Sequence, residues 1–326
     1  MNDAKINEFL NGRGFAIICC LLLVVTAFIA VTMGEVPHFE TGNGIFFDIK
    51  GAFIENPVLS MAVNVTAIIG ISLLALLLNK LYSFIKAFTF IGAASFFLLE
   101  LALPLTSSLF DTDTLLCFVL MLGTLILFGT YESKSAQRPI FLVLCILGFL
   151  VLFCWAAVVL ILAFILGFAY MRTMNWKSCV AAIIGLLTPF WIVLGLGLVS
   201  PFDFKLIEVN GIWGSLEGGQ VHALIVWEVI VVILAIVLSV INLLQIYHYR
   251  LQLRVYNAFF LLVTVLCIIG MCVDYRDMVL FIPMLNLCLS VQIAHTFTIS
   301  KFAKRYIFIF VLMAASLAAF TCNLLL

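Results

Sequence analysis

Charge is what this sequence most lacks. Asp, Glu, Lys and Arg make up only 10% of its 326 residues, against 66% hydrophobic residues and a mean hydropathy of +1.31. A soluble domain carries about a quarter charged residues. That shortage excludes a water-soluble globule: lipid must be the solvent for most of the chain. The 16 basic and 16 acidic residues cancel, and without a basic arm or patch nucleic acid is not a partner. Paired cysteines are missing too. All ten cysteines fall within apolar runs and none forms a C-x-x-C pair, which excludes a zinc knuckle or dithiol motif and reads as small thiols packed between helices. The first apolar run, 15–33, lacks an A-x-A cleavage site and has the length of a span, so it is expected to stay as the first helix. No internal repeat points to an inverted-repeat transporter. No polar stretch is long enough for a soluble domain, so residues 1–326 are expected to form one integral membrane domain.

What is present is long apolar runs. They cover about 15–33, 57–78, 87–105, 113–130, 140–170, 178–199, 222–246, 255–273, 278–299 and 306–325. Backbone amides in hydrocarbon must bond within their own segment, so each run is expected to be helical. The run at 140–170 is anomalous, because one helix of that length would measure roughly 46 Å at ~1.5 Å per residue. The hydrocarbon core is only about 30 Å thick. The segment is therefore one overlong helix or two short ones turning near Cys154-Trp155.

Basic residues decide between the two. With the N-terminus cytoplasmic and 140–170 a hairpin, 13 of the 16 Lys and Arg lie inside, and only Lys50, Lys205 and Arg276 lie outside. A single crossing flips every later loop and leaves 8 on each side. The positive-inside rule favours the hairpin. The expected fold is an all-α polytopic transmembrane bundle of about 11 helices, two of them short, with the N-terminus cytoplasmic and the C-terminus outside. Most acidic residues then face outward.

Two acids remain inside apolar runs: Glu100 in "FFLLELALP" and Glu228 in "HALIVWEVIVV". Both sit about 7–9 Å below the outer ends of their helices at ~1.5 Å per residue. An ionisable group in a span costs several kcal/mol unless it finds water, a partner or a proton. They either line a water-filled vestibule opening outward, or bond neighbouring helices and serve packing. Asn64, Asn242, Asn286, Gln292 and His295 are the other conspicuous polar residues in spans. Asn286 and His295 face nearly opposite directions on a helical wheel, so the group forms no single stripe and reads as interhelical hydrogen bonding. "NVT" at 64–66 matches a glycosylation acceptor but lies within a span.

The outer loops carry the remaining chemistry. Asp111-Thr112-Asp113 can share a hard cation such as Mg²⁺ or Mn²⁺, or can simply start a helix. In "TMGEVPHFETG", Glu35 sits where the first helix leaves the membrane and can act as a general base, with His38 relaying a proton or ligating metal and Glu40 nearby. The same stretch also reads as a polar turn that ends a span.

Residues 57–199 resemble a family of polytopic membrane proteins of no assigned activity common in Bacteroidota, through "LPLTSSLFDTDTLLCFVLMLGTLILF" and "GFLVLFCWAAVVLILAFILGFAYMRTMNWKSCVAAIIGLLTPFW". That resemblance implies a bacterial inner-membrane, multi-pass address. More distantly the region resembles the core of the C-type (GT-C) membrane glycosyltransferases, leaving 222–325 as additional C-terminal helices. Glu35 or Glu40 matches that family's acid on the loop after helix one, Asp111 and Asp113 its second set of acids, and Arg172 and Lys177 its basic turn. The first outer loop, 34–56, is short for that family, and no C-terminal soluble domain follows. The resemblance implies glycosyl transfer at the extracytoplasmic face from a polyprenyl-phosphate-linked sugar, with Glu35 as catalytic base and Asp111 and Asp113 holding metal; the buried acid Glu228 is added as a catalytic helper in the vestibule. The alternative readings are a non-catalytic subunit or scaffold of a cell-envelope complex, and a transporter running through Glu100, Glu228 and His295.

Overall fold

A computed structural model describes residues 3–33, 54–85, 89–199, 218–246, 250–273, 278–299 and 306–325. Every regular element among them is helical. In chain order these are α1 (Asp3–Asn11), α2 (Arg13–Met33), α3 (Pro57–Tyr82), α4 (Ile91–Leu101), α5 (Pro104–Ser108), α6 (Thr112–Phe128) and α7 (Gln137–Phe153). They continue with α8 (Ala157–Tyr170), α9 (Trp176–Gly195), α10 (Gly218–Ile246), α11 (Leu251–Val273), α12 (Ile282–Ile299) and α13 (Tyr306–Leu325). A 3₁₀ turn, Met278–Phe281, leads into α12. The chain is a polytopic, all-helical membrane protein: α2, α3 and α9–α13 provide seven helices long and apolar enough to cross a bilayer.

Four further apolar helices, α4, α6, α7 and α8, have only 10–17 residues, where the sequence reading allowed for two short ones. Proline explains α4. The expected span 87–105 is interrupted because Pro104 has no N–H to continue a helix and forces the preceding residue out of helical geometry. Leu103 is accordingly extended (φ −116°, ψ 104°), and Pro104 opens the separate helix α5.

The segment 140–170 does turn back on itself. Cys154 leaves helical geometry at φ −147°, ψ 117°, and α8 starts at Ala157. The far ends then meet: the Glu132 N–H donates to Met171 O at 2.9 Å, and Asn175 Nδ2 donates to Lys134 O at 3.4 Å. Since α8 returns, α7 and α9 run side by side in the same direction. A Cβ added at Gly185 would lie 2.7 Å from Phe141 O, and one at Gly148 would lie 3.0 Å from Pro189 Cγ. Small residues let these two backbones approach closely, as membrane helix pairs require.

Contacts between loops sort the helix ends into two sets. At one end Thr89 Oγ1 donates to Asn11 Oδ1 (2.9 Å), Arg13 stacks over Phe90 at 5.7 Å, and Tyr256 OH donates to Phe128 O (3.0 Å). At the other, Phe110 N donates to Ser60 Oγ (2.9 Å), Cys117 Sγ to Pro283 O (3.4 Å), and Trp155 meets Phe281 edge-on at 6.0 Å. We call this second set the upper end.

At the centre stands α12. The span Met278–Thr298 is 94% buried, against 22–50% for the other six long helices. It packs against α4, α6, α10 and α11, so protein rather than lipid surrounds it. That placement explains why its polar residues point in several directions: each side has a protein partner to offer. All ten cysteines are free. Five of them (Cys19, Cys117, Cys154, Cys267 and Cys288) are buried, as expected, while Cys272 and Cys322 are exposed.

Candidate functional site

The site forms where α3, α4, α5, α6, α10 and α12 meet at the upper end. Its centre is Glu100, in the last turn of α4 and 1% exposed. Asn286 Nδ2 on α12 donates to Glu100 Oε1 at 3.1 Å. The Thr106 hydroxyl of α5 donates to Leu103 O at 3.4 Å and lies beside the Glu100 carboxylate. On an unbroken helix Thr106 would lie about 9 Å further along the axis and point elsewhere. The Leu103–Pro104 break folds α5 back, so the proline that shortens α4 also brings Thr106 beside its buried acid. Thr106 O in turn accepts from Asn64 Nδ2 of α3 at 2.9 Å. A chain of polar contacts, Asn64–Thr106–Glu100–Asn286, therefore ties four helices together. Asn64 is fully buried, which disposes of the glycosylation match.

Two further carboxylates approach Glu100. Asp113, in the first turn of α6, is 4% exposed and lies close enough for its charge to interact with those of Glu100 and Asp111. Glu228 of α10, also 4% exposed, interacts in the same way with Glu100. Separate stretches of sequence thus bring two further buried acids within electrostatic reach of Glu100, and no Lys, Arg or His among the described residues forms an ion pair with Glu100, Asp113 or Glu228. Both oxygens of Glu228 lack a hydrogen-bond partner, as do Asn286 Oδ1, Asn64 Oδ1 and Ser107 Oγ. Glu100 and Glu228 are within electrostatic reach of one another. They line no open, water-filled vestibule: both side chains are enclosed by packed helices.

Asp111 is the N-cap of α6. Its Oδ1 accepts from Thr112 N (2.6 Å) and Thr112 Oγ1 (3.2 Å), while Asp113 Oδ1 accepts from Thr114 N at 2.5 Å. Both aspartates thus hold the first turn of their helix, and Asp113 also faces the acid cluster. Among the described residues no group of three or more His, Cys, Asp or Glu side chains is arranged to hold a metal ion. Glu35, His38 and Glu40 lie outside the described residues.

His295 does not join the carboxylates. It is buried near the opposite end of α12, with its ring 6.1 Å from that of Phe84. A second polar cluster lies in the same half. Ser239 Oγ donates to Gln292 Oε1 (3.0 Å), Gln292 Nε2 to Thr264 Oγ1 (2.9 Å), and Thr296 Oγ1 to Asn242 Oδ1 (3.1 Å). These bonds join α10, α11 and α12, the interhelical role expected for Asn242 and Gln292. Sequence reasoning missed Thr106 altogether. Its signal was the proline two residues before it, close to an intramembrane acid.

An apolar groove of about 350 Å³ runs between α4, α10 and α13 beside the acid cluster. Leu99 and Trp227, the chain neighbours of Glu100 and Glu228, line it together with Phe308, Val311, Leu312 and Ala315. Comparison of the chain with protein-family models, curated proteins and solved structures finds no match.

Proposed function

We propose that this polytopic membrane protein is an enzyme acting on a lipid-borne substrate, and specifically a GT-C-like glycosyltransferase that uses a polyprenyl-phosphate-linked sugar at the extracytoplasmic face. The observation that carries this reading is the adjacency of a buried acid cluster to an apolar groove, each of whose boundary residues Leu99 and Trp227 precedes one of the acids. A groove open to hydrocarbon suits a lipid tail, and the carboxylates suit an acceptor hydroxyl. In this reading the upper end is extracytoplasmic, the N-terminus is cytoplasmic and the address is the bacterial inner membrane, as the basic residues indicate.

The chemistry divides among named residues. Glu35 takes the proton of the acceptor hydroxyl as its oxygen bonds to the anomeric carbon, and the polyprenyl phosphate leaves with the electron pair of the broken bond. Glu228 assists from beneath. Asp111 and Asp113 are too few to hold Mg²⁺ or Mn²⁺ alone, and Glu35, His38 and Glu40 are the sequence candidates for a third ligand.

The test is to identify the lipids that copurify with the full chain and with Asp113→Asn. Enrichment of a polyprenyl-phosphate lipid over the bulk membrane extract, reduced in the variant, supports the reading. A lipid complement equal to bulk membrane in both proteins overturns it, and a stoichiometric protein partner found in that case would move the assignment to an envelope scaffold.

A further inference from the structure

We propose that Glu100 and Glu228, together with the amide oxygens of Asn64 and Asn286, bind a hard divalent cation of the Ca²⁺ type within the helix bundle. The proposal stands on an imbalance of acceptors over donors. Five buried oxygens at the upper end have no hydrogen-bond partner: Oε1 and Oε2 of Glu228, Oδ1 of Asn64, Oδ1 of Asn286 and Oγ of Ser107. Buried polar atoms are nearly always partnered, and an unmet one signals a bound water or ion. Two unmet donors lie nearby among the described residues, Trp227 Nε1 and the Ser107 hydroxyl, and neither reaches a carboxylate or amide oxygen. Solvent cannot supply the missing donors, since Asn64 and Asn286 are 0% exposed and Glu228 4%.

Hydrogen bonds place the two amides on either side of the α4–α5 break. The Asn286 amide whose Oδ1 is unmet holds Glu100 through its Nδ2 at 3.1 Å. The Asn64 amide holds the Thr106 carbonyl through its Nδ2, next to Ser107. In both residues the nitrogen is committed to the protein, which fixes the amide and leaves its oxygen presented. Glu228 interacts electrostatically with Glu100 and accepts no hydrogen bond.

The donor set selects the ion. Two of the proposed ligands are carboxylates and the other two are amide oxygens. Zinc and its neighbours call for nitrogen or sulfur. Mg²⁺ demands near-octahedral geometry and keeps its waters, which this enclosed place does not supply. Ca²⁺ accepts carboxylates, Asn carbonyls and irregular geometry. Two carboxylates balance its two charges, and in a low-dielectric interior an uncompensated charge costs several kcal/mol. This site is distinct from Asp111 and its helix cap, and it does not require glycosyl transfer.

The test is thermal unfolding of the purified full chain in nanodiscs, with Ca²⁺, Mg²⁺ or choline added at matched ionic strength. Ca²⁺ is expected to raise Tm saturably, with choline inert and Mg²⁺ at least about tenfold weaker. Glu228→Gln should weaken the Ca²⁺ response by about tenfold or more. Asn64→Ala, which removes an amide oxygen and no charge, should weaken it likewise, and this second variant keeps the test open if Glu228→Gln does not fold. The proposal is overturned if choline or Mg²⁺ gives the same curve as Ca²⁺, or if both variants respond as the parent chain does. These readouts are independent of copurifying lipid, so the cation site and the glycosyltransferase reading can fail separately.

Discussion

The backbone N–H of Glu132 donates to the carbonyl of Met171 at 2.9 Å, so the chain returns to its starting level after passing through α7 and α8. The same two turns are joined by the Arg172–Glu132 ion pair at 3.6 Å. A Glu132→Cys/Arg172→Cys double variant should therefore be joined by a short bifunctional maleimide in intact membranes. Trp155→Cys should be labelled only from the opposite side. Failure to cross-link, with 132 and 172 labelled from different sides, would remove the hairpin.

Glu132 and Arg172 also share an unusual backbone, at φ +54° and +57°. The left-handed region costs a residue with a Cβ roughly 1–2 kcal/mol. The ion pair between these half-exposed side chains contributes about 0–1 kcal/mol. Arg172→Gly should accordingly leave Tm near its starting value, because backbone relief offsets the lost pair. Arg172→Val should lower stability by about 1–2 kcal/mol, because a β-branched residue tolerates that φ worst. Equal Tm for the two variants would contradict this account.

Gly185 is where α9 lies against the α7 backbone. Gly185→Ala places a Cβ 2.7 Å from a carbonyl oxygen that cannot swing away, and overpacking of this kind costs about 1–3 kcal/mol. Gly195→Ala meets nothing within 4 Å and should be neutral. Differential scanning of the two variants in detergent separates a specific helix contact from a general intolerance of added side chains on α9.

Asn286 supplies the hydrogen bond from α12 to Glu100. Asn286→Ala should destabilise by about 1–3 kcal/mol, the cost of leaving a buried acceptor unmet. Combining it with Glu100→Gln should show coupling, the double variant losing less than the sum of the singles. Strict additivity would mean that the two side chains do not act together.

The Gln292 cluster gives a contrasting case. Interhelical hydrogen bonds in membranes average only about 0.6 kcal/mol. Gln292→Leu keeps volume and removes bonds from Ser239 and to Thr264, so it should cost roughly 1 kcal/mol, less than Asn286→Ala. A larger loss would assign the lower cluster a role beyond clamping helices.

Much of this arrangement can be read from the chain. Apolar runs locate the helices, and the distribution of Lys and Arg selects the hairpin over a single crossing, because charge cost acts on every loop at once. The depth of Glu100 and Glu228 follows from counting residues to the helix ends. Two features do not follow from such counting. Hydropathy measures attraction to hydrocarbon, whether that hydrocarbon is lipid or protein, so it does not mark α12 as central; its span has the lowest hydropathy of the seven, 1.7, and the deepest burial. The opposed directions of Asn286 and His295 were the legible hint, since polar groups on both sides of a helix need protein on both sides. Nor does a span count reveal that Pro104 folds Thr106 back onto Glu100, because that contact depends on the angle of a break rather than on composition.

The encasement of α12 has a mechanical consequence. Asn286 is anchored near its top and Gln292 below its middle, on a rod roughly 27 Å long at ~1.5 Å per residue. Neither end can twist or slip without straining the anchors of the other. A turn of α12 at the level of Glu100 therefore also strains the Gln292 clamp to α10 and α11.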